Sequence, residues 1–207
     1  LVERAHLLLG DEVKQLVGAD PEARRLAHQR LDVLHGEPRP PFGEEAIPGA
    51  AEFVKRLRDR GRPFLLLTNN SIFTARDLQA RLARGGIDVP EESIWTSAMA
   101  TAQFLDQQRP GGTAYVVGEA GLTTALHDAG YTLTERDPDY VVLGETRTWS
   151  FERVTRAIRL VLGGARFIAT NPDPNGPGEG GTVPACGAVA ALIEKASGVS
   201  ALFVGKP

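Results

Sequence analysis

From residue 45 onward, short apolar or β-branched runs alternate with segments whose apolar residues recur at helical spacing. The runs are FLLLT (64–68), SIWTS (93–97), TAYVVG (113–118), YVVLG (140–144), RFIAT (166–170) and ALFVG (201–205). None alternates cleanly between apolar and polar positions, so most are predicted to be strands buried on both faces, as in a parallel sheet. Between them, Phe53, Val54 and Leu57 fall on one helix face, and Leu78 and Leu82 on another. Leu122, Leu126 and Ala129 form a third face. Phe151, Val154, Ile158, Val161 and Leu162 form a fourth, and Val189, Leu192, Ile193 and Ala196 a fifth. Gly61, Gly85, Gly130, Gly163 and Gly198 stand where helix C-termini favour a left-handed residue. This βα rhythm predicts an α/β fold. The first 44 residues differ: Leu7, Leu8, Val13, Leu16 and Val17 suggest one helix, and residues 21–34 a second, with Pro21 in its first turn after Asp20. The Pro-rich EPRPPFGEE then breaks the pattern, which places a boundary near residue 45.

Composition narrows the function classes. Lys+Arg 23 against Asp+Glu 26 gives a net charge of −3, without the basic excess that non-specific nucleic-acid binding needs. No apolar run approaches the ~18 residues of a membrane helix, and the charged opening LVERAHLLLG does not read as a signal peptide. A single cysteine, Cys186, excludes an internal disulfide and fits a reducing, cytoplasmic setting. The 23 glycines and 14 prolines, with no low-complexity tract to absorb them, predict many turns between short elements.

Three segments are candidates for chemistry. LLLTNNS (65–71) ends an apolar run in hydroxyl and amide side chains, with Ser71 and Thr74 opening the next helix. Ligands of open α/β sheets bind outside strand carboxyl ends, and a helix N-terminus there offers N–H groups to an anion. Thr68, Asn69 and Asn70 occupy that point, either as ligand groups or as a strand end and helix cap. The terminal GKP sets Lys206, one of only four lysines, at the end of another strand, where it is either a phosphate-neutralising charge or a solvated side chain. IATNPDPNGPGEGGTVPACG (168–187) joins a strand end carrying Asn171 and Asp173 to a helix through a Gly-rich loop, either lining a pocket or lying on the surface. VVGEAGL (116–122) is a weaker signal of the same kind. Histidines 6, 28, 35 and 127 lie in no metal spacing, Cys186 reads as a buried structural residue, and neither a P-loop nor a G-x-S-x-G elbow occurs.

In order along the chain, AIPGAAEFVKRLRDRGRPFLLLTNNS, TSAMATAQFL, AYVVGEAGL, YVVLGETRTWSF, GARFIATNPD and LFVGKP resemble the NagD-like (4-nitrophenylphosphatase-like) phosphatases, subfamily IIA of the haloacid dehalogenase superfamily. The resemblance implies a partial Rossmann-like core at residues 45–98 and 201–207. It implies an inserted α/β cap of the C2 type at 99–200, preceded here by the helical segment 1–44. It also implies Mg²⁺-dependent hydrolysis of a small phosphate monoester through an aspartyl-phosphate, and it allows a homodimer. A carboxylate serves as a regenerable nucleophile, a second one as acid and base, and the metal offsets charge repulsion. By resemblance Thr68 hydrogen-bonds the transferring phosphoryl group, Asn69, Asn70 and the following N–H groups help hold it, and Lys206 stabilises its charge. The loop carrying Asn171 and Asp173 contributes to leaving-group choice.

The sequence departs from the family pattern at both ends. Where D-x-D-G belongs it reads RLDVLHGEPRPPFGEE, so Asp32 is the one nearby aspartate and its i+2 partner is Leu34. The chain stops at GKP, before the acidic fourth motif, so no metal ligands are expected to be retained. The expectation is therefore a phosphatase at family level, with this chain a truncated or inactive form. The alternative is a non-catalytic module that binds a phosphorylated ligand or a protein partner.

Overall fold

The computed structural model describes residues 6–7, 49–178 and 181–206. The strands are β1 (His6–Leu7), β2 (Leu66–Thr68), β3 (Ile94–Thr96), β4 (Thr113–Val117), β5 (Thr132–Leu133), β6 (Tyr140–Leu143), β7 (Arg166–Ala169), β8 (Asn175–Gly178), β9 (Gly181–Pro184) and β10 (Leu202–Phe203). The helices are α1 (Ala50–Asp59), α2 (Ala75–Arg84), α3 (Ser97–Gln108), α4 (Ala120–Asp128), α5 (Phe151–Leu162) and α6 (Cys186–Ser197). A three-stranded sheet has the order β1-β2-β3, with β2 and β3 parallel and β1 antiparallel to β2. A five-stranded, all-parallel sheet has the order β10-β7-β6-β4-β5.

Strand alternation divides the larger sheet between two cores. Tyr115, Val117, Val141, Leu143, Phe167 and Ala169 face α5 and α6, where Val161, Val189 and Ile193 meet them. Ala114, Tyr140, Val142 and Ile168 face α3 and α4, against Leu105, Leu122 and Leu126. Both faces are therefore covered, and all four residues of β6 are buried. This is why these strands read as continuous apolar runs. A third cluster of Val54, Leu66, Val89 and Ile94 packs the smaller sheet against α1 and α2.

The six runs seen in sequence each contain a strand and the five helix faces fall on α1, α2, α4, α5 and α6, but Phe151 and Leu162 of α5, Leu192 of α6 and Leu202 and Phe203 of β10 are exposed. Helix α3 is an addition. Its buried stripe, Ser97, Ala98, Thr101, Ala102 and Leu105, mixes hydroxyls with small apolar residues, which hides the period. The short β5 and the β8–β9 hairpin inside the Gly-rich loop are likewise additions. Leu7, which the sequence pattern puts in a helix, lies in β1, opposite Leu66. The other residues of the two N-terminal helices lie outside the described residues. Helices α2 and α5 end on glycine pairs, and the left-handed position falls on the second member: Gly86 (φ 78°) and Gly164 (φ 105°), not Gly85 or Gly163. The second glycine lets the chain turn back so that the Ile87 N–H donates to the Leu82 carbonyl at 2.9 Å and the Ala165 N–H to that of Leu160 at 3.1 Å.

A polar clamp sets the amino ends of β4 and β6 in register. Asp139 Oδ2 accepts from the Thr113 backbone N–H and hydroxyl, both at 2.9 Å, while Arg109 lies 3.0 Å from its other oxygen. The Thr113 N–H foremost holds the Asp139 carboxyl below its ordinary value of 3.8. A depressed folded pKa contributes stability above the unfolded pKa and loses it as pH falls through the folded one. We expect Asp139→Asn to lower stability by about 1 kcal/mol at neutral pH. Denaturant titrations across the acid range should show the difference from the parent shrinking as pH drops below about 4.

Candidate functional site

The two sheets meet along a buried belt of amides and hydroxyls. Thr68, Asn69, Asn70, Ser71, Thr96, Ser97, Thr101, Thr146, Thr170 and Asn171 are all buried, and among the described residues no buried side-chain nitrogen or oxygen lacks a hydrogen-bond partner. Such groups tolerate burial only when paired, so the belt fixes one mutual arrangement of the strand ends.

Asn69, just past the carboxyl end of β2, is the hub. Its Nδ2 donates to Asp173 Oδ2 at 2.9 Å and to the Lys206 carbonyl at 3.2 Å, and its Oδ1 accepts the Lys206 N–H at 3.1 Å. Its own carbonyl accepts from Ser97 Oγ at 2.7 Å and Asn171 Nδ2 at 3.0 Å. Asn70 closes a turn, its Oδ1 accepting the N–H groups of Ile72 and Phe73 at 3.0 and 2.8 Å, while its N–H donates to Thr68 Oγ1 at 3.1 Å. Asn171 Oδ1 accepts the Asp173 N–H at 3.1 Å. Gly205 permits this closeness, since a Cβ there would lie 2.8 Å from Asn69 Oδ1 and 3.0 Å from Asn171 Cβ.

Six of the seven residues singled out in sequence thus converge at the carboxyl ends of β2, β7 and β10: Thr68, Asn69, Asn70, Asn171, Asp173 and Lys206. Asp32 lies outside the described residues. Thr74 opens α2 as expected, within a reciprocal capping box with Asp77. Ser71 does not; its hydroxyl accepts the Glu145 N–H at 2.7 Å and lies 3.3 Å from Thr170 Oγ1. Ser97 carries no local signal in sequence beyond its place before an Ala-rich segment. Gly121, from the weak VVGEAGL signal, brings α4 against the loop: its N–H donates to the Ile72 carbonyl at 2.8 Å, and a Cβ would lie 2.9 Å from the Ser71 carbonyl oxygen.

Electrostatically the cluster is neutral amides and hydroxyls with one carboxylate, Asp173, and one ammonium, Lys206, both half-buried. Magnesium asks for a near-octahedral set of oxygens, usually including one or two carboxylates. Asp173 already accepts from Asn69, and among the described residues no three His, Cys, Asp or Glu side chains gather as a metal site. The described residues do not fit a Mg²⁺ ion.

Cys186 is buried behind the belt, donating toward the Leu143 carbonyl at 3.5 Å, with Thr170 Oγ1 3.6 Å from its sulfur. Burial pushes its thiol up to about 11 from an ordinary 9.0. Because the folded value is the higher one, this contribution to stability is complete below pH 9 and disappears as pH rises through about 11. We expect Cys186→Ala to flatten the fall in unfolding free energy over that window, measured by denaturant titration. Iodoacetamide should label the native thiol only as fast as the protein opens.

Residues 33–132 match the model of the haloacid dehalogenase-like hydrolases. The chain is 61% identical over 163 residues to dihydroxyacetone phosphatase of Corynebacterium glutamicum, which covers 79% of this chain and 59% of that protein. It is 51% identical over 162 residues to the ribonucleotide monophosphatase NagD of Escherichia coli K12, covering 78% of this chain and 63% of NagD. The NagD structure superposes with a TM-score of 0.74 at 49% identity, over 80% of this chain and 65% of that one. A hypothetical protein of Pyrococcus horikoshii superposes with a TM-score of 0.76 at 33% identity, over 80% of this chain and 67% of that one. The chain thus spans about 60% of the length of the curated relatives it matches. No helix among the described residues is long and apolar enough to cross a membrane. With the family match, the 61% and 51% identities and the NagD superposition together, the chain belongs to the haloacid dehalogenase-like hydrolases, in their NagD-like branch.

Proposed function

We propose that this chain provides the phosphate-binding face of a phosphate monoester hydrolase acting on a small phosphorylated metabolite, of the sugar-phosphate or nucleotide class named in its relatives. The convergence of Asn69, Lys206, Asn171 and Asp173 at the carboxyl ends of β2, β10 and β7 carries the reading. In this reading residues 45–98 and 201–207 belong to the core, and 99–200 form the cap that selects the leaving group. Thr68, with Asn69 and Asn70 holding the loop beside it, orients the transferring phosphoryl group, and Lys206 balances its charge as a compact ammonium. In the chemistry of the family a carboxylate oxygen bonds to phosphorus as the ester oxygen leaves with a proton, and water then hydrolyses the aspartyl-phosphate, regenerating the carboxylate. Members of the family generally use Mg²⁺, which would offset the charge repulsion between carboxylate and phosphate.

Because the sequence before AIPGA carries Asp32 with Leu34 at i+2 in place of the paired aspartates that the family chemistry uses, we assign the 207-residue chain phosphate binding with weak turnover or none. Inorganic phosphate in millimolar excess should raise the melting temperature, since a ligand bound only by the native state stabilises it by about 2.7 kcal/mol at 100 times Kd. Lys206→Ala should remove that shift. No shift for the parent protein at high phosphate would overturn the reading. Hydrolysis of 4-nitrophenyl phosphate at an enzyme-like rate, lost in Lys206→Ala, would overturn the assignment of weak turnover alone.

A further inference from the structure

The segment from Asn69 to Phe73 runs across the carboxyl ends of four adjacent strands in their spatial order. Asn69 meets the backbone of Lys206 after β10 and the side chain of Asn171 after β7. Ser71 meets Thr170 after β7 and Glu145 after β6. The Ile72 and Phe73 carbonyls meet Gly121, in the helix that follows β4. At the centre of this track Ser71 is fully buried. The seam is closed: a Cβ on Gly144 would lie 3.0 Å from Ser71 Oγ and 2.9 Å from Leu122 Cδ2, and one on Gly121 would meet the Phe73 carbonyl oxygen at 2.5 Å.

The Ser71 contacts hold a turn that is already stiff internally, because Asn70 Oδ1 gathers the Ile72 and Phe73 N–H groups. A buried N–H left without its acceptor is costly, so the Glu145 amide has a strong preference for keeping Ser71 where it is. We propose that Ser71 is a positioning residue whose hydroxyl fastens the loop 69–73 to the ends of β6 and β7, so that loop and five-stranded sheet open as one unit. Its functional meaning rests on the reading of Asn69 and Asn70 as phosphate-holding residues; its geometry does not. On this account substrate enters without the loop and the sheet moving apart.

Amide-resolved hydrogen exchange by NMR tests this on the whole chain. In the parent, the Glu145 amide should exchange as slowly as those of Gly144 and Thr170, which bond the Val117 and Leu143 carbonyls within the sheet, each at 2.8 Å. Ser71→Ala should speed exchange at Glu145, Ile72 and Phe73 together by about tenfold or more, with Val116 and Val142 unchanged. Gly144→Ala, which crowds the same hydroxyl while keeping it, should give the same pattern and decides the matter if the first variant does not fold. Rapid Glu145 exchange in the parent, acceleration confined to Glu145, or uniform acceleration everywhere would overturn the proposal. Inorganic phosphate added to the parent separates the two readings. If it slows no amide in 68–73, the phosphate assignment fails, while the variants still decide the fastening.

Discussion

Asn69→Asp is expected to destabilise the protein by about 3 kcal/mol or more at neutral pH, the range seen when a buried charge is left without a partner. The amide gives two donated hydrogen bonds, to Asp173 Oδ2 and to the Lys206 carbonyl. An ionised carboxylate has no hydrogen to give. It would set two negative oxygens face to face where the amide stands 2.9 Å from Asp173, and the neighbouring carbonyl would repel it as well. Like charges about 4 Å apart near a protein surface cost about 4 kcal/mol at an effective dielectric of 20. The introduced carboxyl is driven to a raised pKa in the folded state, so its penalty shrinks as the medium is acidified and one oxygen regains a proton. Denaturant titrations at pH 7 and pH 5 should show the gap from the parent narrowing. Adding Asp173→Asn restores a donor opposite the new carboxylate and should recover much of the loss, a non-additivity that a double-mutant cycle reads directly. A variant as stable as the parent at pH 7, with no dependence on Asp173, would show that the hub is not formed as described.

Gly205→Ala is expected to have the second largest effect. The new methyl would sit well inside contact distance of the Thr170 carbonyl oxygen, with Asn69 Oδ1 at 2.8 Å and Asn171 Cβ at 3.0 Å. The first of these belongs to the backbone leaving β7, which cannot yield without disturbing the sheet, and the second is the acceptor of the Lys206 N–H. Overpacking of this kind usually costs 1–3 kcal/mol. We place this substitution at about 3 kcal/mol because relief by moving Asn69 also breaks hydrogen bonds. Thermal melts should show a drop of several degrees together with loss of the phosphate-dependent shift. Gly176→Ala, whose methyl would meet nothing within 4 Å, serves as the neutral comparison. Equal melting temperatures for the two variants would show that β10 and β2 do not approach each other as closely as described.

The legible and illegible parts of this molecule separate by the range of the interactions that decide them. Strands β4, β6 and β7 were readable because both of their faces are buried, leaving unbroken apolar runs in the sequence. Helix α5 announces itself through Val154, Ile158 and Val161, and α2 through Leu78 and Leu82 with Thr74 at its start. Helix α3 did not, because its buried face is built from Ser97, Ala98 and Thr101, which no hydropathy pattern distinguishes from surface. Gly85 and Gly163 stand at helix ends as expected, but the left-handed turn falls on Gly86 and Gly164, because its place depends on where the final carbonyls find their donors.

The candidate site shows the same division. Thr68, Asn69, Asn70, Asn171, Asp173 and Lys206 were visible one by one, as polar residues at the ends of apolar runs, because a strand's carboxyl end is a local feature. Their assembly was not, since Asn69 and Lys206 are 137 positions apart and Asn69 and Asp173 are 104 apart. Nothing within a few residues of Asn69 specifies that its amide will clasp the Lys206 backbone. The role of Ser71 was hidden for a related reason: locally it looks like the start of a helix, and only the crossing of the loop over the β6 and β7 ends turns its hydroxyl into a joint. Residue type and periodicity depend on short stretches of chain, and they were enough for the α/β architecture, while the order of the motif segments carried the resemblance to the family. Which side chains face one another depends on packing between distant strands, and so the hub at Asn69 and the joint at Ser71 were decided only by the tertiary fold.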